Sequence, residues 1–173
     1  THVKDIKGLI EELNIKNPIL MGYSMGGFIA SILAAELPDC RGLILLDGAA
    51  TMAEPQRPIV EPSLGRLSKH WDSQEEYVDT IATGYEEIEE VLKYELADQG
   101  DYWENKGDET VIRQDWASFW DYNVKDYGPQ IKVPTLLVIC QGEIGNNPPL
   151  CLKEHDHNTI ESIKDIQVFE TEA

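Results

Sequence analysis

The sequence feature that most constrains the fold is a serine placed at a corner between a strand and a helix. An apolar run at residues 19–21, typical of a buried strand, leads through Gly22-Tyr23-Ser24-Met25-Gly26-Gly27 into an apolar helical pattern. A strand that becomes a helix within a few residues forces the residue at the turn into an unfavourable backbone region. We expect Gly22 and Gly26 to remove side chains that would collide there, and Gly27 to let the helix pass close to its strand.

This corner predicts a nucleophile. The hydroxyl of Ser24 is expected to stand at the carboxyl edge of a sheet, beside a helix N-terminus whose free N–H groups favour negative charge. An attacking serine oxygen, and the oxyanion that it forms from a carbonyl group, both need such surroundings. Ser24 is therefore the candidate nucleophile of this chain.

The segment Gly-Tyr-Ser-Met-Gly at residues 22–26 has the G-x-S-x-G form of a nucleophile elbow. With a strand before it and a helix after it, it resembles the α/β-hydrolase family. The resemblance implies a serine hydrolase that needs no cofactor or metal, with the N–H of Met25 as one oxyanion-hole donor and the second donor upstream of residue 1. A serine at the elbow, rather than an aspartate, argues against the branches of the family that attack through a carboxylate.

Apolar strands alternate with helical patterns along the rest of the chain. Continuous apolar strands that alternate with helices favour a parallel sheet covered on both faces. The predicted fold class is therefore α/β, an α/β-hydrolase core with Ser24 at the carboxyl edge of its sheet. The predicted strands are residues 19–21, 43–46, 134–140 and 166–169, and the predicted helices are residues 3–13, 28–37 and about 158–164.

The composition changes in the middle of the chain, where 19 acidic and 7 basic residues lie between Thr51 and Gln130. Ser73 followed by Glu76 is a capping-box pattern, and helical spacing of apolar residues recurs beyond it. A helical insertion between two core strands resembles the cap domain of many α/β-hydrolases, which would shield a site from water. We predict three segments: residues 1–50 as the first part of the hydrolase core with the elbow, residues 51–130 as a helical cap or lid insertion, and residues 131–173 as the second part of the core.

The resemblance implies a carboxylate that orients a histidine, and two positions are open for it. In the commonest family arrangement the acid follows the strand at residues 134–140, but the expected aspartate is missing there and Glu143 lies early in the turn. In other members the acid follows the strand after the nucleophile helix, where Asp47 stands. We prefer Asp47 to Glu143, because a carboxylate at the end of the strand beside the elbow is well placed to reach the same histidine.

The base that the resemblance implies does not match any of the four histidines. His2 precedes the elbow, His70 lies in the predicted cap, and His155 and His157 lie in a predicted polar loop before the last helix. Family histidines follow the final strand, so we expect the base beyond residue 173 and expect the isolated chain to be inactive. The run His155-Asp156-His157 predicts no metal site, because alternating ligands without a third partner are common by accident.

Charge and cysteine content limit the remaining function classes. The chain has 14 basic and 32 acidic residues, a formal net charge of −18, which argues against nucleic acid and anionic membranes as partners. No apolar stretch approaches the length of a membrane span. An odd count of three cysteines without metal-like spacing favours reduced thiols in a cytoplasmic protein. Nothing in the sequence indicates the oligomeric state.

The sequence therefore predicts a serine hydrolase that cleaves a small apolar carboxylic ester through an acyl-enzyme on Ser24. The substrate would be a small molecule, and an acidic cap would disfavour a strongly anionic one. Four alternatives remain open at this point: a non-catalytic ligand-binding protein on the same fold, a C–C bond hydrolase, a lactone hydrolase and an acyltransferase.

Overall fold

The computed structural model describes residues 2–49, 61, 63–81, 88–142 and 153–171. The chain divides into two compact units, the first formed by Thr1–Gln56 with Phe119–Ala173 and the second by Arg57–Ser118. These boundaries lie near the predicted segment boundaries after residues 50 and 130 without coinciding with them. The interpretation of the second unit as a cap remains a prediction.

The helices and strands are numbered here in chain order. The first unit contains α1 (His2–Glu12), β1 (Ile19–Tyr23), α2 (Met25–Glu36) and β2 (Gly42–Leu46), followed much later by α6 (Val124–Tyr127), a 3₁₀ turn (Gly128–Gln130), β6 (Thr135–Cys140), α7 (Lys153–Ser162) and β7 (Ile166–Thr171). The second unit contains a 3₁₀ turn (Gly65–Ser68), β3 (His70–Trp71), α3 (Gln74–Ile81), α4 (Glu89–Tyr94), β4 (Leu96–Asp98) and β5 (Trp103–Asn105), and α5 (Glu109–Phe119) ends at the start of the first unit's second segment.

The first unit is built on a parallel sheet with the strand order β1-β2-β6-β7. In its register Tyr23 lies level with Leu46, and Leu46 lies level with Val138. The carboxyl ends of β1 and β2 therefore meet at one edge of the sheet, next to the last residues of β6. The predicted α/β fold with a parallel sheet is confirmed.

The core of the first unit lies on the face of the sheet that α2 and α7 cover. Leu45 of β2 is 0% exposed, whereas Leu136 of β6, whose side chain points to the opposite face, is 36% exposed. The helix α7 begins at Lys153, earlier than the predicted start near residue 158. The prediction missed the first turn because that turn is polar and gives no apolar periodicity. The buried core residues are Ala30, Ala34, Cys40, Leu43, Leu45, Ala49, Ile131, Leu137, Ile139 and Ile163.

A smaller aromatic cluster joins α2 to the segment that follows α5. Tyr122 packs edge-on against Phe28, with ring centroids 4.8 Å apart. Its hydroxyl lies 2.8 Å from the Oγ of Ser31, which in turn donates to the Phe28 carbonyl at 2.8 Å. Both hydroxyls are buried, so this pairing satisfies groups that would otherwise be costly to remove from water.

The second unit contains a small antiparallel sheet, β3-β5-β4, that sequence periodicity did not reveal. Strands of two or three residues are too short to display an alternating pattern. The predicted capping box is confirmed in part, since the Oγ of Ser73 accepts from the N–H of Glu76 at 3.0 Å and Glu76 in turn accepts from the N–H of Asp72 at 2.8 Å. The core of this unit is formed by Trp71, Tyr77, Val78, Leu92 and Leu96.

None of the helices in the described ranges is both long enough and apolar enough to cross a bilayer.

The two leucines on opposite faces of the central strands test where the core lies. We expect Leu45→Ala to lower the free energy of unfolding by about 2–5 kcal/mol, because it leaves a cavity in a fully buried site. Leu136→Ala, the matched control on the adjacent strand, should lower it by less than half as much because the leucine is already partly in water. Urea unfolding followed by circular dichroism measures both. Equal losses for the two variants would contradict the assigned core face.

Candidate active site

Ser24 occupies the corner between β1 and α2, with Tyr23 as the last residue of the strand and Met25 as the first of the helix. Its backbone has φ 47° and ψ −118°, a conformation that side-chain-bearing residues rarely adopt. Two hydrogen bonds hold it there. The N–H of Ser24 donates to the Leu46 carbonyl at 3.0 Å, and its own carbonyl accepts from the N–H of Gly27 at 2.9 Å.

The hydroxyl of Ser24 is not used to cap the helix. A serine at the N-cap ordinarily accepts a hydrogen bond from an N–H in the first turn, but Ser24 makes no such side-chain bond. The side chain is half-buried rather than enclosed. The N–H of Met25, at the first helical position, has no carbonyl one turn earlier in α2 to bond. A hydroxyl and a backbone donor are therefore adjacent at the positive end of the helix.

Backbone segments approach one another so closely at this corner that side chains cannot fit at two positions. A Cβ on Gly22 would overlap the carbonyl oxygen of Gly26 and lie 2.6 Å from the nitrogen of Gly27, and a Cβ on Gly48 would lie 2.5 Å from the carbonyl oxygen of Ser24. The expectation that Gly26 also avoids a collision is wrong. A Cβ there would meet no described atom within 4 Å apart from its chain neighbours and the backbone of its own helix, because Gly26 borders an open groove beside Leu20 and Met21.

Asp47 follows β2 directly, in the position next to Ser24 across the sheet. Its backbone also has a positive φ of 46°, and its N–H donates to the Val138 carbonyl at 2.9 Å. Its Oδ1 accepts from the N–H of Cys140 at 3.3 Å. Burial raises the pKa of the Asp47 carboxyl, and the hydrogen bond from Cys140 acts in the opposite direction. The sheet thus brings Ser24 and Asp47 to the same edge.

A second carboxylate, which sequence reasoning assigned no function, belongs to the same region. Asp156 on α7 is only 1% exposed, and within the described part of the chain neither of its carboxyl oxygens has a hydrogen-bond partner. It shares the buried face of α7 with Thr159 and Ile160, and Ile163 lies just past the helix end. An acid in an apolar row at helical spacing was the signal that could have revealed it.

The structure places the four histidines in three elements. The ring of His70 on β3 stacks on Tyr102 with centroids 4.0 Å apart, and the Nε2 of the exposed His157 on α7 lies 3.0 Å from the carboxylate of Glu161. His2 lies on α1. The predicted loop location of His155 and His157 is wrong, because both lie within α7.

Two further predictions about the site concern Glu143 and metal binding. Glu143 lies outside the described residues, as does any residue beyond 173, so the choice of Asp47 over Glu143 and the location of the base stay predictions. Within the described ranges, no group of three or more His, Cys, Asp or Glu side chains is arranged to hold a metal ion.

Known proteins share this architecture. The family model described as alpha/beta hydrolase fold matches residues 1–83. E-2-(Acetamidomethylene)succinate hydrolase superposes with a TM-score of 0.82 at 18% identity over 97% of this chain. The enol-lactonase from Burkholderia xenovorans LB400 superposes with a TM-score of 0.64 at 18% sequence identity over 99% of this chain. The thioesterase domain from the curacin biosynthetic pathway superposes with a TM-score of 0.72 at 17% identity, also over 99% of this chain. No curated protein sequence matches the chain.

The chain has the α/β-hydrolase fold. The resemblance stated from the elbow motif is thereby confirmed. The chain spans 63%, 63% and 65% of the length of the three solved structures named above. At such low identities the likeness shows the fold alone, so the roles of individual residues must be argued from their own geometry.

The elbow glycines offer a matched test of the close approach. We expect Gly22→Ala to lower the free energy of unfolding by more than about 3 kcal/mol, because the added methyl group cannot be accommodated without moving the backbone of α2. Gly26→Ala should change it by no more than about 1 kcal/mol, since a Cβ there is free of contacts and alanine favours a helix. Thermal and urea unfolding of both variants give the comparison. Similar stabilities would show that the elbow is not packed as described.

Proposed function

We propose that this chain is part of a serine hydrolase that cleaves a small apolar carboxylic ester through a covalent acyl-enzyme on Ser24. The observation that carries the proposal is the conformation of Ser24. It lies at a strained corner between strand and helix, and its hydroxyl makes no capping hydrogen bond to the helix. Strain of this kind persists only where the surrounding structure imposes it, and it is concentrated at functional sites. The α/β-hydrolase fold, a generally hydrolytic one, supports the same conclusion.

In the proposed reaction the Oγ of Ser24 attacks the ester carbonyl and loses its proton to a histidine. The carbonyl oxygen becomes an oxyanion, which the N–H of Met25 stabilises together with the positive end of α2. Collapse of the tetrahedral intermediate breaks the C–O bond, and the histidine returns the proton to the leaving alcohol. Water then attacks the acyl-enzyme in the same manner, releasing the acid and restoring Ser24.

In this scheme Asp47 orients the histidine and stabilises its protonated form. Its position supports the role, because Asp47 follows Leu46, the residue whose carbonyl accepts the hydrogen bond from the N–H of Ser24. The hydrogen bond from the N–H of Cys140 favours the ionised form of Asp47, the form that the role requires.

The proposed substrate class rests on two arguments: the bond types named for similar structures, and the acidic charge of the unit proposed as the cap. The names of two similar structures, an enol-lactonase and a thioesterase, refer to cleavage of ester-type bonds. The unit Arg57–Ser118, proposed here as the cap insertion between β2 and β6, is rich in acidic residues and would disfavour an anionic substrate. Cys40 and Cys140 are free thiols, which supports the proposed cytoplasmic location.

A covalent probe tests the nucleophile directly. We expect an organophosphonate to label the intact protein rapidly and stoichiometrically, because the probe traps an activated serine as a stable adduct. Ser24→Ala should abolish labelling, whereas Ser118→Ala, which removes an exposed serine from α5, should leave it unchanged. Intact-protein mass spectrometry gives the extent of labelling.

Two outcomes of the labelling experiment would contradict the proposal. If the folded wild-type protein is not labelled, the chain belongs to a ligand-binding protein on the hydrolase fold. If Ser24→Ala is labelled as fast as the wild type, the nucleophile is another residue. For a labelled protein, turnover of short-chain esters, lactones, thioesters and 1,3-diketones then ranks the reaction classes.

The role of Asp47 predicts a large kinetic effect from a small change. We expect Asp47→Asn to lower kcat of the intact enzyme by about 10⁴-fold, because an amide neither stabilises an imidazolium nor maintains the required tautomer. The fold should survive, since asparagine tolerates a positive φ and still offers an oxygen to the N–H of Cys140. Asp39→Asn, at an exposed aspartate before β2, is the matched control and should retain full activity. A loss of only a few-fold in Asp47→Asn would exclude Asp47 as the triad acid.

A further inference from the structure

Asp156 is the least satisfied charged group among the described side chains. It is 1% exposed, and neither carboxyl oxygen has a hydrogen-bond partner in the described part of the chain. Buried polar side chains in folded proteins are almost always hydrogen-bonded, and a buried carboxylate without donors is especially unfavourable. A carboxyl group in such surroundings is more stable as the neutral acid, and this observation on burial and bonding is independent of any catalytic scheme.

The face of α7 that carries Asp156 packs against the loop after β2, where Asp47 lies. One helical turn beyond Asp156, the Oγ1 of Thr159 donates to the carbonyl of Ala49 at 3.0 Å. Ala49 is only two residues past Asp47. The contact between helix and loop therefore brings a second carboxyl group towards the one already placed beside the elbow.

Among the described side chains, the charged groups that act on Asp156 disfavour its ionised form. Asp47 and Glu170 both act on it as negative charges. On α6, which packs against α7, Lys125 and Asp126 are exposed, and the 3₁₀ turn at residues 128–130 contains no ionisable side chain. On α7 itself His157 and Glu161 are exposed and pair with each other. No described cation is bonded to the carboxyl group of Asp156.

The two aspartates differ in the donors available to them. Asp47 accepts a hydrogen bond from the N–H of Cys140, which favours its ionised form. Asp156 accepts none in the described part of the chain, so its ionised form has nothing to replace the water that burial removed. When two neighbouring carboxyl groups share a site, the second negative charge is disfavoured, and the proton resides on the group with fewer donors.

We propose that Asp47 and Asp156 form a carboxyl pair that has a single negative charge from weakly acidic pH up to neutral pH, in which Asp156 holds the proton and Asp47 carries the charge. Asp156 is thus a positioning residue that acts through Asp47 and does not itself contact the reacting atoms. Its role in catalysis rests on the proposed function, since it matters there only if Asp47 is the triad acid. The pairing itself rests on the burial of Asp156, on its lack of described donors and on the contact of α7 with the loop that follows Asp47.

The direction of the pKa shifts agrees with the pairing. Desolvation, followed by the negative charges of Asp47 and Glu170, raises the pKa of Asp156 from an ordinary value near 4 to about 7. Burial raises the pKa of Asp47 as well, but there the hydrogen bond from Cys140 lowers it. As the pH rises through about 7, Asp156 loses its proton and a second negative charge appears in the buried pair.

Carbon-13 NMR of the aspartate carboxyl groups in the intact protein tests the pair without reference to activity. The Asp156 resonance is assigned by its absence from Asp156→Asn and is followed from pH 4 to pH 9. We expect a midpoint near 7 in the wild type and a lower midpoint in Asp47→Asn, where the neighbouring charge is gone. Asp165→Asn, at an exposed aspartate just after α7, should leave the midpoint unchanged. A wild-type midpoint near 4, or no shift in Asp47→Asn, would overturn the pair.

The dependence of stability on pH gives a second readout. Between pH 4 and 7 the folded protein retains a proton on Asp156 that the unfolded chain releases, so unfolding becomes easier as the pH rises through this range and changes no further above it. Asparagine resembles the neutral acid and cannot ionise. We therefore expect the Tm of Asp156→Asn minus that of the wild type to increase from pH 4 to pH 8. A Tm difference that is constant over this range would contradict a buried neutral acid.

Comparison with the labelling of Ser24 separates the two proposals. A raised Asp156 midpoint together with a protein that the organophosphonate does not label would support the carboxyl pair and refute the hydrolase. A midpoint near 4 in a protein that is labelled at Ser24 would refute the pair and leave the hydrolase intact.

Discussion

The fold of the first unit depends on a backbone contact between the elbow and the loop after β2. The N–H of Ser24 donates to the Leu46 carbonyl, and Gly48 approaches the Ser24 carbonyl so closely that a side chain would not fit. The hydrogen bond extends the pairing of β1 with β2 by one residue beyond the end of β1. Ser24 and Asp47, the residues that follow the two strands, are both held at positive φ. Neither conformation is favourable in isolation, so the packing of β1, α2 and β2 must stabilise them together.

Much of this architecture could be predicted from the sequence because the signals are local and continuous. The apolar run at residues 43–46 and the serine between glycines describe a buried strand and a sharp corner without reference to distant residues. Asp47 was chosen because it follows such a run. By contrast, β3, β4 and β5 are too short to show a period of two, so periodicity could not reveal them. The pairing of β3 with β5 also joins segments that are distant in the chain.

The sequence-based predictions are wrong where the same residue type is compatible with two different structures. The glycine spacing predicts that Gly26 relieves a collision, but at this corner it is Gly22, Gly27 and Gly48 that lie against another backbone segment. The loop assigned to His155 and His157 is a helical turn, because a polar sequence is equally compatible with a loop and with a solvent-facing helix start. Asp156 stands at helical spacing from Ile160 and Ile163, but this spacing indicates burial only if the helix begins before residue 156, which the polar first turn does not predict.

Backbone N–H donors determine which groups at the carboxyl edge of the sheet can carry a negative charge, and the number of acidic side chains there matters less. The first turn of α2 supplies N–H groups beside Ser24, where negative charge would develop during acyl transfer. The N–H of Cys140 supplies one donor to Asp47. No described donor reaches Asp156. Because a buried anion is tolerated only where donors replace water, the edge can stabilise charge at Ser24 and Asp47 but not at Asp156. In the proposed pair the negative charge therefore lies on the half-buried Asp47, while the buried Asp156 stays neutral below about pH 7.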